Sequence, residues 1–201
     1  AYGQDDRVCA YTAMEAILDC GVPDDTAVVV LADKEEIGSV GNTGLASDFL
    51  RYFISDLAAI DGLEVRHVLS DSTCLSADVA AAYDSNFASA YDDKNSCYIN
   101  HGVAISKYTG SRGKGGSNDA SAEFLGELRY TFENNDILWQ IGELGKVDQG
   151  GGGTVAQFIA KMNVDVIDVG VPVLSMHSPW EVTSKIDIYM AYKGFKAYFV
   201  K

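Results

Sequence analysis

Val164-Asp165-Val166-Ile167-Asp168-Val169-Gly170-Val171-Pro172-Val173-Leu174 is an apolar, β-rich run. Ser175-Met176-His177-Ser178-Pro179 follows it. A run of this kind reads as buried sheet, and the segments on either side read as helix. Upstream, residues 154–162 follow the glycine run Gly150 to Gly153. Downstream, residues 180–200 place Val182, Ile186, Tyr189, Tyr192, Phe195 and Phe199 at helical spacing. The same alternation extends toward the N-terminus. Residues 6–20 carry Val8, Tyr11, Met14, Ile17 and Leu18 on one helical side. Residues 45–60 turn Phe49, Leu50, Phe53, Ile54 and Leu57 inward, and residues 121–134 form a further helix. Strands are expected at 26–32, 63–69, Val103–Ser106 and 137–141. Residues 84–96 are polar with little pattern, and 110–117 read as a glycine-rich loop. Strand alternating with helix, without repeat or linker, predicts a three-layer α/β/α sandwich on a mixed, largely parallel sheet.

The 201 residues suffice for one sizeable domain, and 47% hydrophobic with 22% charged residues is ordinary for a globular protein. The net charge of −14 speaks against nucleic acid and against an anionic membrane surface. No apolar run reaches membrane-spanning length. Cys9, Cys20, Cys74 and Cys97 are scattered without a C-x-x-C pair, which predicts reduced thiols in a cytoplasmic setting and disfavours a zinc–thiolate site.

Ligands in such folds gather beyond the carboxyl ends of strands, and the chemistry-bearing residues fall at those ends. Glu35 and Glu36 follow the run Val28-Val29-Val30-Leu31-Ala32. Two adjacent carboxylates can divide labour, one ligating a metal and the other taking a proton from water. The ordinary alternative is a solvated surface pair. Asp5-Asp6-Arg7 opens the first helix, where a carboxylate can bridge two cations or serve as a cap. Asp78, in Ser76-Ala77-Asp78, follows a strand and a polar turn. Its alternative is the cap of a helix continuing through Val79-Ala80-Ala81-Ala82. His177 ends the apolar run ahead of a proline turn, as ligand or as an ordinary histidine. His67 and His101 read as structural or surface. The glycine runs match neither a P-loop nor a dinucleotide fingerprint. Lys107 and the loop Ser111-Arg112-Gly113-Lys114 offer positive charge to an acidic substrate, or plain exposed cations.

Taken together, these segments resemble a family. Asp5-Asp6-Arg7-Val8-Cys9-Ala10-Tyr11, Asp33-Lys34-Glu35-Glu36-Ile37-Gly38-Ser39, Ser76-Ala77-Asp78 and Met176-His177-Ser178 occur in the order of the M18 metallo-aminopeptidases. The stretches 145–154 and 179–185 add to the match, which covers nearly the whole chain. The resemblance implies a zinc-exopeptidase-like fold and an aminopeptidase removing N-terminal Asp or Glu. It implies two zinc ions, replaceable by cobalt or manganese. Asp5 becomes the bridging carboxylate, Glu36 and His177 complete one site, Asp78 belongs to the second, and Glu35 is the general base. Lys107 lies near the place where a residue reading the acidic side chain is expected. The partners implied are an acidic peptide substrate and further copies of the chain, in the dodecameric tetrahedron of the family. The family also carries an upstream His-x-Asp motif and an inserted dimerisation domain, neither of which is in these residues. The chain is therefore read as the C-terminal portion of the catalytic domain, with one complete metal site and one lacking a histidine. The alternatives are a broader M42-like aminopeptidase or deacylase, and an inactive piece.

Overall fold

The computed structural model describes residues 1–112, 115–146 and 148–201. In chain order the elements are α1 (Gln4–Asp19), α2 (Phe49–Ile60), α3 (Val65–Asp71), β1 (Thr73–Ser76), β2 (Ala80–Ala81) and a 3-10 turn at Ser85–Ala90. There follow β3 (Val103–Ser106), β4 (Tyr108–Ser111), β5 (Gly115–Asp119), α4 (Ala122–Asn134) and β6 (Trp139–Ile141). The chain ends with α5 (Ala156–Ala160), β7 (Asp165–Gly170), β8 (Pro172–Leu174), β9 (Val182–Thr183) and α6 (Lys185–Phe199).

The main sheet has the order β1-β7-β3-β6. β1 runs parallel to β7 and β3 parallel to β6, while β3 and β7 are antiparallel. A smaller sheet, β2-β8-β9, pairs β2 parallel and β9 antiparallel to β8. The sheet is thus mixed and largely parallel, as the alternation predicts. β7 shows why the fold has three layers. Side chains alternate across a strand. Ile167 and Val169 join the core with Phe124, Leu128 and Phe132 of α4 and Met190, Ala191 and Phe195 of α6. Val166 points the other way, to Leu69, Ala156 and Ile159. Each fully buried side chain of this size contributes roughly 1.5–3 kcal/mol. Two helices, α4 and α6, start where the sequence provides caps. The Ser121 hydroxyl accepts from Phe124 N–H at 3.1 Å, and that of Ser184 from Ile186 N–H at 3.3 Å.

Three expectations are corrected. Among the described residues, 26–32 belong to no sheet, and Val30 and Leu31 are exposed. Apolar composition reports a tendency to bury, whereas a strand also needs a backbone partner, and none of the described residues offers one. Residues 63–69 were expected as strand, yet α3 covers most of them. Val65 and Leu69 pack inward, and a spacing of four satisfies both the strand and the helix period. Residues 110–117 are not a free loop, since β4 and β5 form a hairpin there; Gly113 and Lys114 lie outside the described residues. Two elements begin late. In α2, Leu50 and Ile54 face the core while Phe49 and Phe53 stay exposed. The last helix starts at Lys185 because Val182 and Thr183 pair with β8. Among the described residues no helix is long and apolar enough to cross a membrane.

Candidate metal centre

Three separated segments meet at one end of the sheets. Asp5 and Asp6 head α1 but are not helical (φ −82, ψ 110 and φ −119, ψ 39). The helix is preceded by Gly3, with no side-chain cap. The helical turns begin after them: Asp6 bonds the backbone of Cys9 three residues on, as a cap does, while Asp5 meets His177. His177 lies in the turn after β8, where Ser178 N–H donates to Ser175 C=O at 3.0 Å. Its φ of 65° is left-handed, uncommon for a residue with a Cβ. Glu35 and Glu36 sit in a turn closed by Gly38 N–H to Glu35 C=O at 2.8 Å and Ser39 N–H to Lys34 C=O at 2.7 Å.

The result is a convergence. His177 Nε2 lies 2.8 Å from Asp5 Oδ2 and 3.2 Å from Glu36 Oε1. Ligand atoms of Asp5, Glu36 and His177 all fall within 4.8 Å of one another, and so do those of Asp5, Asp6 and Asp78. Asp5 belongs to both trios. Asp78 is no helix cap, because the chain after it enters β2, where Ala80 N–H donates to Val171 C=O at 3.0 Å. Its backbone lies against β7. A Cβ on Gly170 would stand 1.4 Å from the Asp78 carbonyl oxygen, so only glycine allows this approach.

The electrostatics are those of crowded acids without counter-charge. Burial raises the Asp5 carboxyl, and Glu36 raises it further. Asp6 is pushed up to about 8, chiefly by burial, with the Cys9 thiol pulling against and Asp5 adding. Asp78 is raised well above the ordinary range by burial, then by Asp6, Asp5 and Glu35. Glu35 is raised by burial, Glu36 and Asp5. Asp6 Oδ1 is buried with no hydrogen-bond partner. Carboxylates gathered this way are costly unless a cation joins them. One imidazole and several carboxylate oxygens suit zinc, with manganese or cobalt as chemical relatives. The residues present therefore fit a metal.

Beside the carboxylates opens a cleft of about 370 Å³, lined by Glu35, Glu36, Ser39, Thr154, Gln157 and Phe158 among others. A cleft of about 390 Å³ at the far end of α1, by Cys20 and Asp24, contains no comparable ligand group among the described residues.

All five residues expected in the metal site or as its base are thus neighbours or electrostatically coupled. Lys107 is not among them: its ammonium pairs with Asp119 in an exposed position. His67 and His101 are exposed and apart from the trios. Val147, in the stretch 145–154, lies outside the described residues. Two residues emerge that the sequence reading gave no role. Asp6 completes the second trio. Glu181 is buried and accepts from Asp5 N–H at 3.0 Å and His177 N–H at 2.7 Å. Its signals in the sequence were its place four residues beyond the candidate histidine and its presence in the matching stretch 179–185.

Comparison with known proteins agrees with this geometry. A "Probable M18 family aminopeptidase 1" of Clostridium acetobutylicum is 47% identical over 98% of this chain. The crystal structure of aminopeptidase I from the same organism matches with a TM-score of 0.93, at 47% identity over the full chain and 44% of that structure's chain. That of the M18 aminopeptidase from Thermotoga maritima gives 0.95, at 42% identity, covering 100% and 46%. The chain spans less than half the length of these relatives, 43% for the first. The family model described as "Aminopeptidase I zinc metalloprotease (M18)" matches residues 1–199. With that match and these identities, the chain belongs to the M18 family of zinc metallopeptidases.

Proposed function

We propose that the protein is the metal-binding, C-terminal portion of an aminopeptidase catalytic domain that releases Asp or Glu from peptide N-termini. The observation that carries this reading is the pair of trios sharing Asp5, with Glu35 beside them. Asp5, Glu36 and His177 would hold one zinc ion. Asp5 and Asp78, with Asp6 close by, would hold a second. Zinc supplies Lewis acidity, which acidifies water and polarises a carbonyl.

The chain's own residues supply the rest. Glu35 shares a segment with Glu36 but belongs to neither trio, and it lines the open cleft. Its raised affinity for protons suits a group that takes one from the attacking water and returns it to the leaving amine. The cleft beyond it would receive the substrate's first side chain. Acidic preference rests on the family resemblance alone, since Lys107 is paired with Asp119 and does not line the cleft. Exposed Phe49, Tyr52 and Ile60 on α2 form an apolar face of the sort that self-association covers, which supports a homo-oligomer.

Aspartyl, glutamyl and leucyl chromogenic amides test the proposal, assayed with and without chelator. Chelator-sensitive release favouring the acidic amides is expected. Faster release of the leucyl amide would point to the broader M42-like specificity, and release insensitive to chelator would overturn the metal mechanism. The second trio is all carboxylate, and among the described residues no histidine joins it. This favours weak activity for these 201 residues when tested alone.

A further inference from the structure

Glu181 carries a buried carboxylate, 2% exposed, with no Lys or Arg partner among the described residues. Its compensation is backbone. Oε1 accepts from His177 N–H at 2.7 Å and Oε2 from Asp5 N–H at 3.0 Å. Gln4 N–H is a third donor, and the other two belong to residues whose side chains meet at 2.8 Å. We propose that Glu181 is the positioning residue of the metal centre: one carboxylate ties together the two backbone segments that deliver Asp5 and His177, from opposite ends of the chain.

The physical grounds are threefold. First, a buried charge persists only where it is paid in hydrogen bonds, and a carboxylate receiving several N–H groups is well paid. Second, His177 holds a left-handed backbone, which needs outside support. The bond from its own N–H to Oε1 is such support, and it aims the imidazole toward Asp5 and Glu36. Third, both Glu181 oxygens act as acceptors. The isosteric amide of glutamine would turn an NH2 group toward one of the two N–H donors and break that link. Groups hydrogen-bonded behind the side chains of metal ligands typically change metal affinity by about 10–100-fold when altered. Glu181 has the geometry of such a group, although it acts on the ligands' backbone and not on their rings.

The inference rests on the zinc reading above, and its test separates the two. Zinc affinity of the protein and of Glu181→Gln is measured by competition with a chromogenic chelator, and the visible spectrum of the cobalt-loaded forms is recorded. Glu181→Gln should weaken zinc about 10–100-fold and alter the cobalt bands. Ile137→Val, which loosens the buried core elsewhere, should lower thermal stability and leave zinc affinity unchanged. Unchanged zinc affinity and cobalt bands in a folded Glu181→Gln protein would overturn the proposal. A second measurement needs no variant. In the metal-free protein the Asp5 and His177 amides should exchange slowly with solvent, and rapid exchange at either overturns the proposal. If the unaltered protein binds no zinc, the metal reading fails, while the amide measurement still decides whether Glu181 ties the two segments.

Discussion

Metal-free protein should become less stable as pH rises from about 5 to about 8, and zinc should remove most of that loss. The reasoning starts from Asp6, whose carboxyl is pushed from 3.8 to about 8 on folding. Between those values the folded protein keeps a proton that the unfolded chain has released. The folded state then binds more protons, and stability falls with rising pH. Each pH unit in the window is worth about 1.4 kcal/mol. From about pH 5 to about pH 8, Asp6 alone costs about 4 kcal/mol. Asp5, Asp78 and Glu35 are raised in the same direction. Glu181 is lowered: burial opposes this, but hydrogen bonds from Asp5, His177 and Gln4 N–H outweigh it. Its stabilisation is lost only below its ordinary value of 4.5, outside the window. Asp168, pushed to about 6 by burial, is no candidate ligand. Its share, about 1.4 kcal/mol between about pH 5 and 6, should survive zinc loading. Urea unfolding across the pH series, with metal-free and zinc-loaded protein, gives both curves. For a domain of this size, about 4 kcal/mol corresponds to roughly 8–16 °C in melting temperature. A metal-free curve that is flat or rises toward about pH 8 would refute the reasoning, because the buried acids would then not be protonated.

Further outcomes follow from single contacts. Glu35→Gln should keep zinc, as measured by metal analysis, and lower kcat on an aspartyl amide by about 10²–10⁴-fold, the usual worth of a general base. Gly170→Ala should destabilise by about 3 kcal/mol or more and weaken the Asp78 site. The added methyl meets a backbone oxygen that cannot swing away, and urea unfolding with zinc titration reads both effects. Asp187→Ala removes the acceptor of the Asn100 and Gly102 N–H groups, at 2.6 and 2.7 Å. It should cost about 2–4 kcal/mol in urea unfolding while zinc affinity stays as it was.

The helices were legible from periodicity, though in α1 the buried face is Val8, Cys9, Thr12 and Ala16, while Tyr11, Met14 and Leu18 of the expected stripe are exposed. α4 repeats its buried residues four apart, at Phe124, Leu128 and Phe132, and β7 is buried from Val166 to Gly170 around Val166, Ile167 and Val169. The fold was illegible where spacing was degenerate, as for Val65 and Leu69, or where pairing was at issue, as for residues 26–32. The short strands β1 and β2 pass unnoticed because Thr73–Ser76 and Ala80–Ala81 are too brief to show a period. The family motifs lead to Asp5, Glu35, Glu36, Asp78 and His177, and the structure brings these into one neighbourhood. Glu181 lies inside the matching stretch 179–185, but the match gave it no role. Its function is written in two backbone N–H groups, and backbone donors leave no trace in residue type.

Residues 26–32 deliver Glu35 and Glu36 from a segment whose own backbone polar groups face no strand. Such an edge accepts any extended segment of suitable register. On the role proposed for Glu35, the position of the proton acceptor would be tied to whatever docked there. Assembly and chemistry would then share one stretch of chain, and a contact made several residues before Glu35 would tune how closely it approaches the substrate.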